Sequence, residues 1–198
     1  MSEHYYSNKP SAKHDLRKIK EELRGTELIF TTDAGVFSKG GVDFGSKLLI
    51  ETMEIKPGYR VLDVGCGYGP IGLAAARLAT PGVVTMLDIN ERAVELAREN
   101  AIHNGIDNVE IIVSDLFEQV RGLSFDCILT NPPIRTGKET VHRIFELAWE
   151  HLVLGGELWI VIQKKQGAPS ALTKLESLFT TVQDVAKSKG FHIFKCTK

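Results

Sequence analysis

From residue 60 onward the chain alternates short apolar runs with longer amphipathic stretches. "YRVLDVG", "VVTMLD", "VEIIVS", "FDCILT" and "ELWIVIQ" are rich in β-branched residues and read as strands. Between and after them, "IGLAAARLA", "ERAVELARENAIH", "GKETVHRIFELAWEHL" and "SALTKLESLF" read as helices. In the third of these, Val141, Phe145, Ala148 and Leu152 mark one helical face. The punctuation agrees. Thr80-Pro81-Gly82 closes the first helix, Asn90 can N-cap the second, and Asn104-Gly105 stops it. Gly155-Gly156 turns into the fifth strand. "TTVQDVAKS" and "FHIFKCT" are two further strands, joined by Lys189-Gly190 as an antiparallel hairpin at one sheet edge. Strands alternating with helices predict an α/β fold. It is a doubly wound, mostly parallel seven-stranded sheet, with helices on both faces and an antiparallel C-terminal strand.

The N-terminal part is less regular. In "LRKIKEELRGTELIFTT", Leu16, Ile19 and Leu23 fit helical spacing, while Ile19 and Leu23 also fit alternation. "LIFTT" is strand-like and Arg24-Gly25 supplies a turn, so the segment is read as a short β-hairpin extension. "GVFSKGG" is a loop. "DFGSKLLIETM" is a short helix with Leu48, Leu49 and Met53 inward. Residues 1–14 lack periodicity and are expected to form a flexible arm. Three parts result: the arm (1–14), the hairpin extension (15–34) and the main domain (35–198).

Composition narrows the function classes. The chain has 198 residues, 43% of them hydrophobic, enough for one domain with a sizeable core. A net charge of -1 excludes a protein that coats nucleic acid through overall basicity, so a nucleic-acid partner needs a local basic patch. Cys66, Cys127 and Cys196 are scattered, which is neither a disulfide framework nor a zinc spacing. A reducing, cytoplasmic setting is the simplest expectation. No apolar run approaches a membrane span, and the polar start has no apolar signal region. The histidines show no metal spacing, so no metal is expected.

The candidate chemistry lies at the ends of the strands. "VLDVGCGYGPIG" follows one strand and opens a helix, the place for a nucleotide-like ligand. "GYGPIG" matches the dinucleotide fingerprint. Asp63 argues against a pyrophosphate. A carboxylate on the rim of the loop repels phosphate but accepts hydrogen bonds from an ammonium group. Asp88 ends the next strand, where an acid grips ribose hydroxyls. Asp115 follows the third, placed to accept from an adenine amino group. Each alone would be an ordinary cap or turn former. Three acids at the carboxyl ends of three consecutive strands point to a ligand. The fourth strand runs into "NPPI", where two prolines end the ladder directly after Asn131.

"DVGCGYG", "LDIN", "SDLF" and "NPPI", in this order, resemble a class I S-adenosylmethionine-dependent methyltransferase. The likeness implies S-adenosylmethionine as cofactor. Asp63, Gly65 and Gly67 would lie at its methionine end, Asp88 at the ribose, and Ile89, Asp115 and Leu116 at the adenine, with Asn131 near the methyl. Cys66 is read as a small filler of the loop. "NPPI" resembles the motif of amino-methyltransferases acting on adenine, guanine or glutamine. There the Asn131 oxygen and the free Pro132 carbonyl would each accept an N–H of the target amino group. The lone pair would then face the methyl donor, an effect of preorganisation. Those enzymes usually have an aromatic residue where this chain has Ile134. Pro133 and Ile134 would pack on the target, and Phe37 is the candidate replacement ring, with core packing its alternative. "GVFSKGGVDFGSKLL" resembles the small-subunit rRNA guanine methyltransferases and implies guanine N2 as acceptor. It places Asp43, Gly45 and Ser46 near the methionine moiety. Arg135, Lys138, Arg143, Lys164 and Lys165 would form a rim for RNA phosphates. A protein glutamine amide or adenine amino methyltransferase is the alternative, and a non-catalytic binding module a third reading.

Overall fold

The computed structural model describes residues 12–198. The arm expected over residues 1–14 therefore lies outside the described residues up to residue 11. Arg92 donates to the Ala12 carbonyl and His14 pairs with Asp33, so the described end of that segment is bound to the domain.

The first two strands, β1 (Arg17–Leu23) and β2 (Thr26–Thr32), form a separate antiparallel two-stranded sheet. Arg24 and Gly25 both have φ > 0 (51° and 71°), the left-handed pair that suits the twist of a two-residue hairpin. Alternation thus prevails over helical spacing here. Leu23, Leu28 and Phe30 are buried, while Leu16 stays exposed.

The main sheet has seven strands: β3 (Val61–Val64), β4 (Val84–Asp88), β5 (Val109–Val113), β6 (Phe125–Thr130), β7 (Leu152–Gln163), β8 (Thr181–Ser188) and β9 (Phe191–Thr197). Their order is β5-β4-β3-β6-β7-β9-β8. β3 to β7 are mutually parallel, and β9 runs antiparallel to both β7 and β8. Lys189 and Gly190, again both at φ > 0, make the β8–β9 turn. The helices are α1 (Phe44–Thr52), α2 (Pro70–Ala79), α3 (Glu91–His103), α4 (Lys138–His151) and α5 (Ala168–Leu178). The predicted seven-stranded, mostly parallel sheet is the one found, and β7 is longer than expected because it begins at Leu152.

Each central strand feeds two cores, because successive side chains point to opposite faces. Val61, Met86, Leu129 and Trp159 join one apolar cluster, with the hairpin and residues of α1, α2 and α3. Leu62, Leu87, Ile128 and Ile160 join the other, with α4 and α5. Burial of such side chains contributes roughly 1.5–3 kcal/mol each, which fixes the sheet as the frame of the site.

Candidate active site

The central neighbours β3 and β6 are parallel, but the chain leaves them in opposite directions. From β3 it proceeds through α2 to β4, and from β6 through α4 to β7. The loops at 65–69 and 131–133 therefore part above the sheet, the topological switch point where α/β proteins bind ligands. Thr130 Oγ1 donates to the Val64 carbonyl at 2.9 Å and ties the two strand ends together. The cleft opening there, with its mouth, holds about 1150 Å³.

The floor of the cleft is the glycine loop. Gly65 and Gly67 have φ of 77° and 57°, and a Cβ on either would meet nothing within 4 Å. These positions need glycine for the backbone shape, and they leave bare peptide facing open space. Gly72 differs: a Cβ there would come 2.7 Å from Met86, so it serves the packing of α2 on β4. Asp88 braces the loop. Its Oδ2 accepts from Gly67 N–H at 2.8 Å and its Oδ1 from Asn90 N–H at 2.9 Å. Burial pushes the Asp88 carboxyl above the usual carboxylate range, opposed by the backbone N–H groups of Asn90, Gly67 and Ile89. Asp88, Ile89, Asp115 and Leu116 all line the cleft. Leu116 sits at φ 47°, and Ser114 Oγ donates to its carbonyl at 3.0 Å.

Asp63 is not on the rim. It is wholly buried and does not line the cleft. Alternation explains the difference. Residue 63 shares the face of Val61, and its register partners Met86 and Leu129 belong to the same core. Neither carboxylate oxygen has a hydrogen-bond partner. Burial pushes this carboxyl up to about 7; the Gly72 backbone N–H pulls the other way, and the charge of Asp88 adds a smaller push upward. Cys66 does line the cleft. Burial, then Asp88 and Asp63, push its thiol well up, which makes it a poor nucleophile.

Asn131 follows β6 and reaches across to α1. Its amide nitrogen donates to Ser46 Oγ at 3.0 Å and to Asp43 Oδ1 at 3.4 Å. Asp43 is also the N-cap of α1, accepting from Ser46 N–H at 3.1 Å. Among the described residues nothing donates to Asn131 Oδ1. Asp43, Ser46, Asn131, Pro132 and Pro133 all line the cleft. Gly45 faces the Phe191 ring instead.

The Pro132 carbonyl is not free, contrary to the expectation from the motif. It accepts from Ile134 N–H at 2.8 Å, closing an inverse γ-turn with Pro133 at φ −74°, ψ 77°. Two successive prolines favour this turn, because only one of the next N–H groups exists to be satisfied. One lone pair of that oxygen remains. Ile134 does not line the cleft, for the turn packs it against the core under α4. Arg135 and Lys164 are exposed on short turns after β6 and β7 and stand outside the cleft. Arg143 is engaged by Glu146 at 3.3 Å. Phe37 lines the cleft with 40% of its surface exposed, so it is not a core residue.

Several lining groups had no sequence signal. Val36 and Ser38 flank the expected Phe37 in the segment between the hairpin and α1, and that whole segment is a wall of the cleft. Asn90 Nδ2 donates to the Gly35 carbonyl at 2.8 Å and Arg92 to the Ala34 carbonyl at 2.6 Å. Thr136, Thr140 and Ile144 supply the opposite wall. Tyr68 lies in the glycine loop, stacks edge-on against Phe30 and reaches the Ser38 carbonyl at 3.4 Å.

Charge decides what this cleft accepts. Asp43, Asp88 and Asp115 line it, and among the described residues no Lys, Arg or His does. Such a site repels a pyrophosphate and attracts a cation. Bare peptide at Gly65 and Gly67, an acid at the end of β4 and an apolar residue beside it fit a cationic nucleoside. Among the described residues no cluster of His, Cys, Asp or Glu is placed to hold a metal.

A seven-stranded sheet with this order, and an acid-lined cleft at its switch point, define a class I S-adenosylmethionine-dependent methyltransferase. Residues 27–195 match the model of the methyltransferase small domain, and the chain belongs to that family. It is 57% identical to the uncharacterized protein YbxB of Bacillus subtilis over the whole of both chains. It is 34% identical to ribosomal RNA small subunit methyltransferase C of Escherichia coli, across 91% of this chain and 52% of that protein. The T. thermophilus 16S rRNA N2 G1207 methyltransferase, solved with AdoMet and guanosine, superposes with a TM-score of 0.82 at 26% identity. That match covers 92% of this chain and 50% of the other. The chain thus spans about half the length of these rRNA enzymes. No described helix is long and apolar enough to cross a membrane.

Proposed function

We propose that the protein methylates the exocyclic N2 amino group of a guanine in small-subunit ribosomal RNA. The observation that carries this reading is the amide of Asn131, a residue lining the cleft, held by its nitrogen while among the described residues nothing donates to its oxygen. The relatives named for rRNA methylation support the substrate class.

S-adenosylmethionine, when bound, supplies an electrophilic methyl group. Asp88 and the Gly67 peptide would hold its ribose side, Ile89, Asp115 and Leu116 its base, and the backbone at Gly65 its amino-acid end. Asp63 sits below that loop, where a bound ammonium group would draw its buried carboxyl toward the ionised form. An amino group on a base is a weak nucleophile because its lone pair is conjugated into the ring. The Asn131 oxygen accepts one of its N–H groups, and the remaining lone pair of the Pro132 carbonyl accepts the other. Both oxygens orient the nitrogen and stabilise positive charge as the N–C bond forms. The proton can leave after transfer, so no strong base is needed. The half-exposed ring of Phe37 offers a stacking surface for the base, worth roughly 1–3 kcal/mol.

Labelled-methyl transfer to small-subunit rRNA, assembled subunits and release factors tests the substrate. Label in RNA at guanine N2 is expected, and label in protein alone would refute the rRNA reading. Asn131→Ala is expected to lower turnover about a hundredfold or more while cofactor affinity, measured by titration calorimetry, holds. Unchanged turnover would remove Asn131 from the chemistry.

A further inference from the structure

We propose that Asp43 is a positioning residue for methyl transfer. Its carboxylate holds the amide nitrogen of Asn131 turned inward, so that the amide oxygen, rather than the nitrogen, meets the amino group to be methylated. The inference rests on the role of Asn131 given above.

A primary amide fits its site in two orientations of nearly equal shape, related by a half-turn. Their chemistry is opposite. An outward oxygen accepts from an amino group, whereas an outward NH2 presents donors to donors. The Ser46 hydroxyl, 3.0 Å away, can donate or accept, so it tolerates both. Asp43 does not. An ionised carboxylate only accepts, and a flipped amide would set a second partially negative oxygen about where the nitrogen now stands, 3.4 Å from Asp43 Oδ1. The carboxylate is itself held in place. As N-cap of α1 its Oδ1 also accepts from Ser46 N–H at 3.1 Å. Ser46 is almost completely buried, so little water competes at this corner. Asp43 and Asn131 lie 88 residues apart in the chain, and only the packing of α1 beside the end of β6 brings them together.

Asp43→Asn tests the inference, because Asn caps helices about as well as Asp while its amide can donate as well as accept. Single-turnover methyl transfer to a small-subunit rRNA transcript is measured in two backgrounds. With Asn131 present, the substitution is expected to slow transfer about tenfold or more, with a smaller change in the RNA concentration needed for half-maximal rate. With Asn131→Ala in place, it is expected to cost less than about twofold further, since the two residues act as one unit. An equal loss in both backgrounds, or none in either, overturns the inference. If Asn131→Ala alone leaves the rate unchanged, the reading of Asn131 fails and the inference with it. If Asn131→Ala is slow and Asp43→Asn is not, only the inference fails. A second measurement needs no RNA. In 15N-labelled protein the side-chain NH2 of Asn131, assigned by its loss in Asn131→Asp, is expected to exchange with solvent about tenfold more slowly than exposed asparagines. Asp43→Asn should remove that protection, and its absence in the parent protein would overturn the inference.

Discussion

A carboxylate without hydrogen bonds, buried near a second carboxylate, is costly to ionise. Asp63 is in that position, and its effect on stability has a definite sign. The folded protein keeps the Asp63 proton up to about pH 7, while the unfolded chain releases it near the ordinary value of 3.8. The folded state therefore binds more protons across that window. The contribution of this group to stability is full below about pH 4 and falls as pH rises through 7, by on the order of 4 kcal/mol in all. Asp63→Asn keeps the shape and cannot ionise. Without cofactor, the variant is expected to be the more stable at pH 8, with the gap closing toward pH 4, as read by urea denaturation. Parallel pH profiles would show that Asp63 does not titrate in this range. At this scale the sequence identified the acids but misjudged one direction. Counting residues back from a glycine puts Asp63 near the loop, but the parity of the strand turns it under α2.

Elements meet through groups that no periodicity reveals. Asn100 on α3 and Asn104, the C-cap of that helix, lie one turn apart beside β2. Asn100 accepts from Thr31 N–H at 2.7 Å and donates to the Thr31 carbonyl at 3.0 Å. Asn104 does the same to Ile29, at 2.9 and 2.8 Å. Four helical residues rise about 6 Å and two strand residues about 6.8 Å, so two amides on a helix can stand in for a neighbouring strand. That docks the hairpin, and with it the wall of the cleft at Val36 to Ser38. Asn100 also donates to the Tyr68 carbonyl in the glycine loop at 2.9 Å. Asn100→Ala is expected to lower stability by about 2–3 kcal/mol, since backbone groups of Thr31 lose their partner. Cofactor affinity should fall as well. Chemical denaturation and titration calorimetry check the two effects, and a stability change under ~0.5 kcal/mol would mean water replaces the amide. The hairpin was legible from Arg24-Gly25 and the alternating residues. Its docking was not, because Asn100 sits inside a helical pattern with nothing to distinguish it from a surface residue.

For the whole molecule, the arrangement of charge matters more than the total. A net charge of -1 hides an acid-lined cleft and a basic rim on the same sheet edge. Arg135, Lys138, Lys164 and Lys165 are exposed there, and among the described residues none of them has a carboxylate within ion-pair distance. Lys164 N–H donates to the Gly190 carbonyl, which brings the β8–β9 turn and Lys189 to this edge. Replacing Lys164 and Lys165 by Glu is expected to weaken binding of small-subunit rRNA about tenfold or more. It should also flatten the salt dependence, by roughly one unit of slope for each phosphate that is no longer neutralised, with cofactor affinity unchanged. Fluorescence anisotropy across a potassium chloride series reads both, and an unaltered slope would exclude these lysines from phosphate binding.

The sequence by itself determined the strands, the helices, the glycine loop, the hairpin turns and the sheet edge at which the acids gather. These follow from local rules: alternation, helical spacing, and the backbone freedom of Gly against the rigidity of Pro. Only the tertiary structure decided that Asp63 lies beneath the loop, that the Pro132 carbonyl closes a γ-turn, and that Asp43 grips Asn131. Such outcomes depend on which face a strand buries and which distant segments pack together, and the chain's local pattern does not encode either.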